Sequence, residues 1–153
     1  MAFWLFKSEP GCFSFQDLMQ RPGKTEHWDG VRNFQARNFL RDQIAVGDRV
    51  LFYHSSIPVP AVVGLCTVVT AGYPDHTAQD PTGEHFDPKA TPEAPIWYMV
   101  DVRGDQALPR EVPLSLIKDH PVLQKMPLVN RSRLSIQPVT ADEYQTILAL
   151  AGL

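Results

Sequence analysis

The feature that most constrains the fold is a series of five short apolar runs separated by turn-forming residues. They cover residues 2–7, 48–55, 61–70, 95–103 and 133–139. Each has the length of a β-strand and is bounded by Gly, Pro, Asn, Asp or Ser. Gly64 within the third run predicts a bend or bulge in that strand. The chain also holds 14 prolines against 9 glycines, which indicates short elements with rigid connections. This pattern predicts a sheet-based fold and argues against a helical bundle. At 153 residues, the chain suits one domain, 1–153.

The run at 48–55 is apolar on both of its faces. Because side chains alternate along a strand, Val50 and Phe52 would point to one side. Leu51 and Tyr53 would then point to the other side. A strand that is buried on both faces is typical of a barrel wall covered by further elements. We therefore expect a closed or nearly closed β-barrel.

Helices are predicted where capping residues precede a 3.6-residue apolar period. Ser14 is a candidate N-cap for a short helix, and a second helix is predicted over 36–44, before Gly47. Thr140 and Glu143 match a capping box at the start of a C-terminal helix. The expected fold class is thus α+β, a mixed β-barrel with peripheral helices.

The charge balance excludes one class of function. The chain has 14 basic and 17 acidic residues, a net charge of −3, so it is not a protein that grips duplex DNA through a general Lys/Arg coat. Residues 1–57 carry +1, whereas residues 58–110 carry −4. Arg32, Arg37 and Arg41 recur along the predicted second helix. They form either a solvated helix face or a local positive rim.

Cysteine and histidine spacings do not favour a metal site. Cys12 and Cys66 cannot supply a zinc quartet, and the five histidines show no HxxxH or HExxH spacing. Cys66 lies in an apolar run and is expected to be a buried thiol. The polar segment 73–94 is either functional or mobile, and a solvated acidic loop is favoured there over a weak cation site. With no signal peptide or membrane span evident, we expect a cytoplasmic protein that does not bind membranes.

The main polar and aromatic residues cluster in three segments, 7–10, 28–33 and 52–55. Each segment lies at a predicted strand end or helix start, where side chains can converge on one cavity. They offer aromatic planes, an amide, a carboxylate, hydroxyls and cations. This inventory fits a planar heterocycle, which is stacked on its face and hydrogen-bonded at its edge.

Four motifs resemble those of a known family. They are Phe3-Trp4-Leu5-Phe6-Lys7-Ser8-Glu9-Pro10, Trp28-Asp29-Gly30-Val31-Arg32-Asn33-Phe34-Gln35-Ala36-Arg37-Asn38, Gly47-Asp48-Arg49-Val50-Leu51-Phe52-Tyr53-His54-Ser55 and Arg133-Leu134-Ser135-Ile136. Their order and spacing resemble the EVE domain family of the PUA-like superfamily over nearly the whole chain. The resemblance implies a PUA-like β-barrel that binds nucleic acid, either DNA or RNA, without catalysis. It also implies recognition of a flipped, modified base such as a 5-methylcytosine derivative, with no cofactor and no metal.

The same resemblance implies which residues line the base pocket. They are Lys7, Ser8, Glu9, Trp28, Val31, Arg32, Asn33, Tyr53, His54, Ser55, Arg133 and Ser135. Arg32 and Arg37 would contact flanking phosphates. On this basis we expect Trp28→Ala to abolish base binding while leaving the melting temperature nearly unchanged.

An enzyme is the alternative function. Glu9 or His54 could act as acid or base near Lys7 in a small hydrolase or nucleobase-processing enzyme. The sequence shows no nucleophile paired with a base and no metal-ligand set, which favours the binding module. Arg133 has its own alternative, a structural ion pair across the sheet.

Overall fold

The computed structural model describes residues 1–130 and 133–153. Within them, six strands form one mixed sheet. The strands are β1 (Phe3–Ser8), β2 (Thr25–His27), β3 (Arg49–His54), β4 (Ala61–Pro74), β5 (Tyr98–Pro113) and β6 (Ile136–Val139). Their order across the sheet is β2-β5-β4-β3-β1-β6. β1 and β3 are parallel, with Lys7 opposite Tyr53, and the other pairs are antiparallel.

Short helices surround this sheet. They are α1 (Phe15–Met19), α2 (Phe34–Asn38), α3 (Leu114–Asp119), α4 (Pro127–Asn130) and α5 (Ala141–Leu150). A π-helical turn, Phe39–Gln43, continues α2, and 3₁₀ turns lie at Pro22–Lys24, His76–Gln79 and Pro121–Leu123. Ser14 and Thr140 cap α1 and α5 in complete capping boxes, as their sequences predict.

Both faces of the sheet are covered by apolar clusters. Val50 and Phe52 belong to a first cluster, which also contains residues of α1 and α2. Leu51 and Tyr53 belong to a second cluster, which contains Ile147 of α5. The alternation predicted for residues 48–55 is therefore confirmed. Burial of these side chains from water is the main force that holds the sheet between its helices.

The α+β class is confirmed, but the closed or nearly closed β-barrel is not, because the sheet is not closed. Among the described residues, the edge strands β2 and β6 do not pair with each other, so the sheet is open. A strand buried on both faces indicates only that something covers each face. Here the covering layers are helices and loops, and the sequence period does not distinguish them from barrel closure.

The predicted bend at Gly64 and the predicted burial of Cys66 are both confirmed, whereas the length of β5 was not predicted. The β3–β4 and β4–β5 registers shift near Gly64, where a Cβ would clash with the Phe15 ring. Cys66 is fully buried, and burial raises the pKa of its thiol. β5 runs ten residues past the predicted end at residue 103, and α3 and α4 follow it. No helix among the described residues is long and apolar enough to cross a membrane.

Candidate nucleic-acid interface

The candidate site is an open cavity at the carboxyl end of β1, which we name the main cleft. Its volume is about 490 Å³. Its walls come from the β1 end, the α1 region, β2 with the turn that follows it, the loop after β4 and the start of β6. The lining residues are Lys7, Ser8, Glu9, Cys12, Phe13, Arg21, Glu26, His27, Trp28, Asp29, Gly30, Val31, Arg32, Glu84, His85 and Ser135.

The end of β1 forms one wall of the main cleft. The backbone N–H of Lys7 donates to the carbonyl of Ser135 at 2.9 Å, which joins the two strand ends. The Ser8 hydroxyl donates to the carbonyl of Phe13. Glu9 is exposed, and among the described residues its carboxylate accepts only a weak 3.8 Å contact from the Cys12 thiol. Burial lowers the pKa of Lys7. This wall therefore presents a cation beside a carboxylate that is free to accept hydrogen bonds.

Trp28 lines the main cleft and also belongs to the core. It is 8% exposed, and its ring lies 5.2 Å from the Phe6 ring and 5.3 Å from the Phe52 ring. The Phe13 ring meets it edge-on at 6.2 Å. Truncating such a residue leaves a cavity, which typically costs about 3–5 kcal/mol for Trp→Ala. The expectation that Trp28→Ala leaves the melting temperature nearly unchanged conflicts with this packing.

Asp75 holds the turn that contains Trp28 and Arg32. Its side chain is fully buried and accepts hydrogen bonds from Gly30 N–H at 2.9 Å and from Arg32 Nη1 at 3.1 Å. Its other oxygen accepts from Thr77 N–H at 2.9 Å and Thr77 Oγ1 at 2.5 Å. Burial alone would raise the pKa of Asp75. The hydrogen bonds from Thr77, Gly30 and Arg32 outweigh it and lower the pKa below its usual value.

The loop after β4 forms the opposite wall. The carbonyl of His85 accepts a hydrogen bond from Arg32 Nη2 at 2.7 Å, and Glu84 and His85 line the main cleft. A Cβ on Gly30, whose φ is +77°, would approach the His85 ring to 2.6 Å. Part of the polar segment 73–94 is therefore a cleft wall. Among the described residues, no group of three or more His, Cys, Asp or Glu side chains is arranged to hold a metal ion.

A second cavity adjoins the main cleft and has a volume of about 430 Å³. We name it the second cavity. Its lining residues are Lys7, Glu9, Tyr53, Ser55, Ser56, Pro60, Leu114, Leu128, Arg133 and Ser135. Lys7, Glu9 and Ser135 line both cavities. The parallel pairing of β1 with β3 explains this, because both strands end at the same edge of the sheet.

Ten of the twelve residues assigned to one base pocket line these two cavities. Those in the main cleft are Lys7, Ser8, Glu9, Trp28, Val31, Arg32 and Ser135. Those in the second cavity are Lys7, Glu9, Tyr53, Ser55, Arg133 and Ser135. The structure thus divides the expected pocket into two adjoining spaces.

The remaining two residues, Asn33 and His54, line neither cavity. The Asn33 side chain caps α2 by accepting from Ala36 N–H at 2.9 Å. His54 Nε2 accepts from Phe15 N–H at 3.1 Å, which ties β3 to α1. Burial lowers the pKa of His54, although nearby Glu111 and Asp17 partly oppose this shift. Both side chains have structural roles here, and their contact with a base stays a prediction.

The two arginines assigned to phosphates already have partners inside the protein. Arg32 donates to Asp75 and to the His85 carbonyl, and its guanidinium lies 5.3 Å from the Trp97 ring centroid. Arg37 Nη1 donates to the carbonyl of Ile96 at 2.6 Å. Phosphate contact by Arg32 and Arg37 stays a prediction that these geometries do little to favour.

The sequence analysis missed Asp75 as the organiser of the cleft. One local signal was present, since Asp75-His76-Thr77 allows an aspartate to bond the N–H two residues ahead. The contacts with Gly30 and Arg32 span more than 40 positions and have no local signature. Arg21 was also missed: it lines the cleft, pairs with Glu26 at 2.9 Å and lies 5.2 Å from the Phe13 ring centroid.

Comparisons with known proteins agree with the family resemblance. The model of the EVE domain matches residues 2–150. Thymocyte nuclear protein 1 of Gallus gallus is 42% identical over 164 residues, covering 96% of this chain and 67% of the relative. The human protein of the same name is 40% identical, covering 97% of this chain and 73% of the relative.

Solved structures share the fold over the full chain. A hypothetical protein from Leishmania major superposes with a TM-score of 0.94 and 49% identity, covering 99% of this chain and 95% of that one. The human THYN1 protein in complex with 5-methylcytosine containing DNA has a TM-score of 0.95 and 39% identity, covering 100% of this chain and 99% of that one. The chain therefore belongs to the EVE domain family.

Proposed function

We propose that this protein is a non-catalytic reader of modified DNA, which holds a flipped base of the 5-methylcytosine type in the main cleft. The observation that supports this most is the combination of an aromatic wall, Trp28, with the Glu9 carboxylate in one open cavity. The human relative solved with 5-methylcytosine containing DNA has the same fold.

The energetics of flipping decide what the cleft must supply. Removing a base from its stack costs a few kcal/mol, and packing against an aromatic side chain returns about 1–3 kcal/mol. Hydrogen bonds at the base edge must supply the rest. The exocyclic amino group of cytosine is a donor, and a carboxylate is its matching acceptor. Glu9 is suited to this role because no described cation neutralises it.

Selection for the methyl group falls to apolar side chains. Phe13, Trp28 and Val31 all line the main cleft. One methyl group in an apolar pocket is worth about 1–3 kcal/mol, so the preference over unmodified cytosine should be moderate. Discrimination against thymine should be larger, because thymine presents a carbonyl where cytosine presents the amino group.

The placement of Glu9 and His54 supports binding over catalysis. Glu9 is in the cleft, whereas the His54 ring accepts a backbone hydrogen bond from α1 and does not line the cavity. Of the two candidates for an acid or base near Lys7, the structure therefore leaves only Glu9 in the cleft, without a second acid or base in His54.

The test is a titration of short DNA duplexes that carry one 5-methylcytosine, cytosine or thymine at the same position. We expect the methylated duplex to bind best and Glu9→Gln to weaken it about tenfold, because a charged acceptor of the amino group is replaced by a neutral amide. Glu93→Gln is the matched control, since Glu93 is exposed and outside both cavities. Mass spectrometry of the DNA after long incubation should find no altered base.

Equal affinity for all three duplexes would contradict base recognition. A new product that disappears in Glu9→Gln would instead establish the enzyme alternative.

The same chemistry suits a modified base in RNA, because stacking and edge hydrogen bonds do not depend on the sugar. RNA binding is therefore part of the proposal, and the same titration with a 5-methylcytosine oligoribonucleotide tests it. A cytoplasmic location also stays a prediction, which microscopy of the tagged protein can check.

A further inference from the structure

The second cavity has polar chemistry that differs from that of the main cleft. Hydroxyl groups dominate its polar lining, from Tyr53, Ser55, Ser56 and Ser135. It also contains two cations, Lys7 and Arg133, and one carboxylate, Glu9, which it shares with the main cleft. Hydroxyl donors beside cations are the groups that bind phosphate oxygens in nucleic-acid complexes.

Tyr53 shows that this cavity has unmet hydrogen-bonding capacity. The residue is 2% exposed and packs in the second apolar cluster. Among the residues that the structure describes, its hydroxyl has no hydrogen-bond partner. Burial raises the pKa of Tyr53 to about 12, so the hydroxyl stays protonated at neutral pH and can donate. This oxygen is not among the buried polar atoms that lack a partner, so it is reached from the second cavity, where a ligand can accept its hydrogen bond.

Position connects this cavity to the main cleft. Lys7 lies opposite Tyr53 in the parallel β1–β3 pair, and Ser55 N–H donates to the Ser8 carbonyl at 2.9 Å. Because Lys7, Glu9 and Ser135 line both cavities, a nucleotide whose base enters the main cleft can place its sugar and a phosphate at the second cavity. The second cavity would then receive the phosphate that neighbours this nucleotide along the polymer.

We infer that the second cavity is a phosphate subsite, in which the Tyr53 hydroxyl and the Arg133 guanidinium hold the phosphodiester next to the flipped nucleotide. This inference rests on the proposed function. It also distinguishes the roles of residues that the sequence placed together, since Trp28 and Glu9 read the base while Tyr53 and Arg133 hold the backbone.

The test uses 5-methyl-2′-deoxycytidine, its 5′-monophosphate and its 3′-monophosphate, titrated by calorimetry or NMR. We expect one monophosphate to bind about tenfold more tightly than the nucleoside, as a charge-assisted contact would give. Tyr53→Phe and Arg133→Gln should each remove most of that gain and leave nucleoside affinity within about twofold. Tyr53→Phe keeps the buried ring, so the variant should fold.

Arg110→Gln is the control, because it removes the same charge from an exposed site that lines neither cavity. A methylated oligonucleotide extends the test from a free phosphate to the polymer. There, Arg133→Gln should reduce the slope of log affinity against log salt by about 0.7–0.9.

Two results would overturn the inference alone, and a third would overturn the proposed function with it. If neither monophosphate binds more tightly than the nucleoside, no phosphate subsite exists, although base recognition still stands. If Tyr53→Phe and Arg133→Gln weaken the nucleoside as much as the monophosphates, these residues contact the base. A wild-type protein that binds no nucleoside and does not prefer methylated DNA overturns the proposed function together with the subsite.

Discussion

The main cleft and the second cavity adjoin, but the protein builds them differently. In the main cleft, the turn at residues 28–32 is held by internal partners, since Asp75 bonds Gly30 and Arg32, and Arg32 bonds the His85 carbonyl. In the second cavity, the Tyr53 hydroxyl and the Arg133 guanidinium have no hydrogen-bond or ion-pair partner among the described residues. The turn at residues 28–32 therefore contributes to the stability of the fold, whereas the Tyr53 and Arg133 side chains of the second cavity are available to bind a ligand.

This difference predicts which mutations lower stability and which lower only ligand binding. Changes to the internally bonded turn should lower stability first and binding as a consequence, because the wall loses its shape. Changes to Tyr53 or Arg133 should lower binding with little loss of stability.

The largest effect should come from Asp75→Ala. This change leaves the donors of Gly30, Thr77 and Arg32 without their acceptor, and breaking such a buried pair typically costs about 3–5 kcal/mol. Urea unfolding monitored by tryptophan fluorescence measures the loss. Binding of methylated DNA should fall in parallel, because the turn that carries Trp28 is no longer held.

Asp80→Ala is the matched control for Asp75→Ala. Asp80 accepts from Thr82 N–H and Thr82 Oγ1, the same local pattern as Asp75 with Thr77. Asp80 is exposed, however, and within the described part of the chain it has no hydrogen bond to the turn at 28–32. Asp80→Ala should therefore lower the free energy of unfolding much less than Asp75→Ala does. Equal losses for the two variants would show that the local aspartate turn, and not the connection to Gly30 and Arg32, stabilises the wall.

An intermediate effect is expected for Trp28→Phe. The smaller ring keeps an aromatic surface between Phe6 and Phe52 but leaves part of the indole volume empty, which should cost about 1–3 kcal/mol. Base affinity should also fall, since a Phe ring gives less stacking area. Thermal unfolding and the duplex titration measure both quantities on one sample. A variant with unchanged binding would mean that Trp28 serves only the core.

Much of the fold could be predicted from local sequence. Capping boxes at Ser14 and Thr140, the alternation in β3 and the bend at Gly64 depend on neighbouring residues, and all are present. Sheet closure could not be predicted, because pairing of β2 with β6 depends on how the whole sheet curves. β2, with three residues, is too short for its period to be detected.

The sequence predicted which residues form the site, but not how they divide between the main cleft and the second cavity. The motifs identified ten residues that line the two cavities, yet nothing local separates Tyr53 and Ser55 from Trp28 and Val31. That separation follows from tertiary placement at the ends of β1 and β3. Asn33 shows the converse: a polar residue directly before a helix is a common N-cap, and this local role is the one that the structure shows.

The smallest predicted effect concerns His54, which lies on β3 between Tyr53 and Ser55 but is internally bonded like the main-cleft turn. Burial lowers its pKa below the ordinary value of 6.5, so the unfolded chain binds the proton more readily than the folded protein. Its contribution to stability is therefore present above about pH 6.5 and is lost as the pH falls through the lower folded pKa. His54→Gln should destabilise the protein slightly at pH 8, by weakening the bond from Phe15 N–H. The gap between wild type and variant should shrink as unfolding is measured toward pH 5.

A constant gap across this range would mean that His54 does not titrate differently in the folded state. The same variant also tests the boundary between the two regions. Because His54 lines neither cavity, His54→Gln should bind methylated DNA as wild type does at pH 8, where both are folded. A clear loss of binding there would place His54 at the ligand, as the family resemblance implies, and the division into an internally bonded wall and a ligand-facing cavity would then fail at this strand.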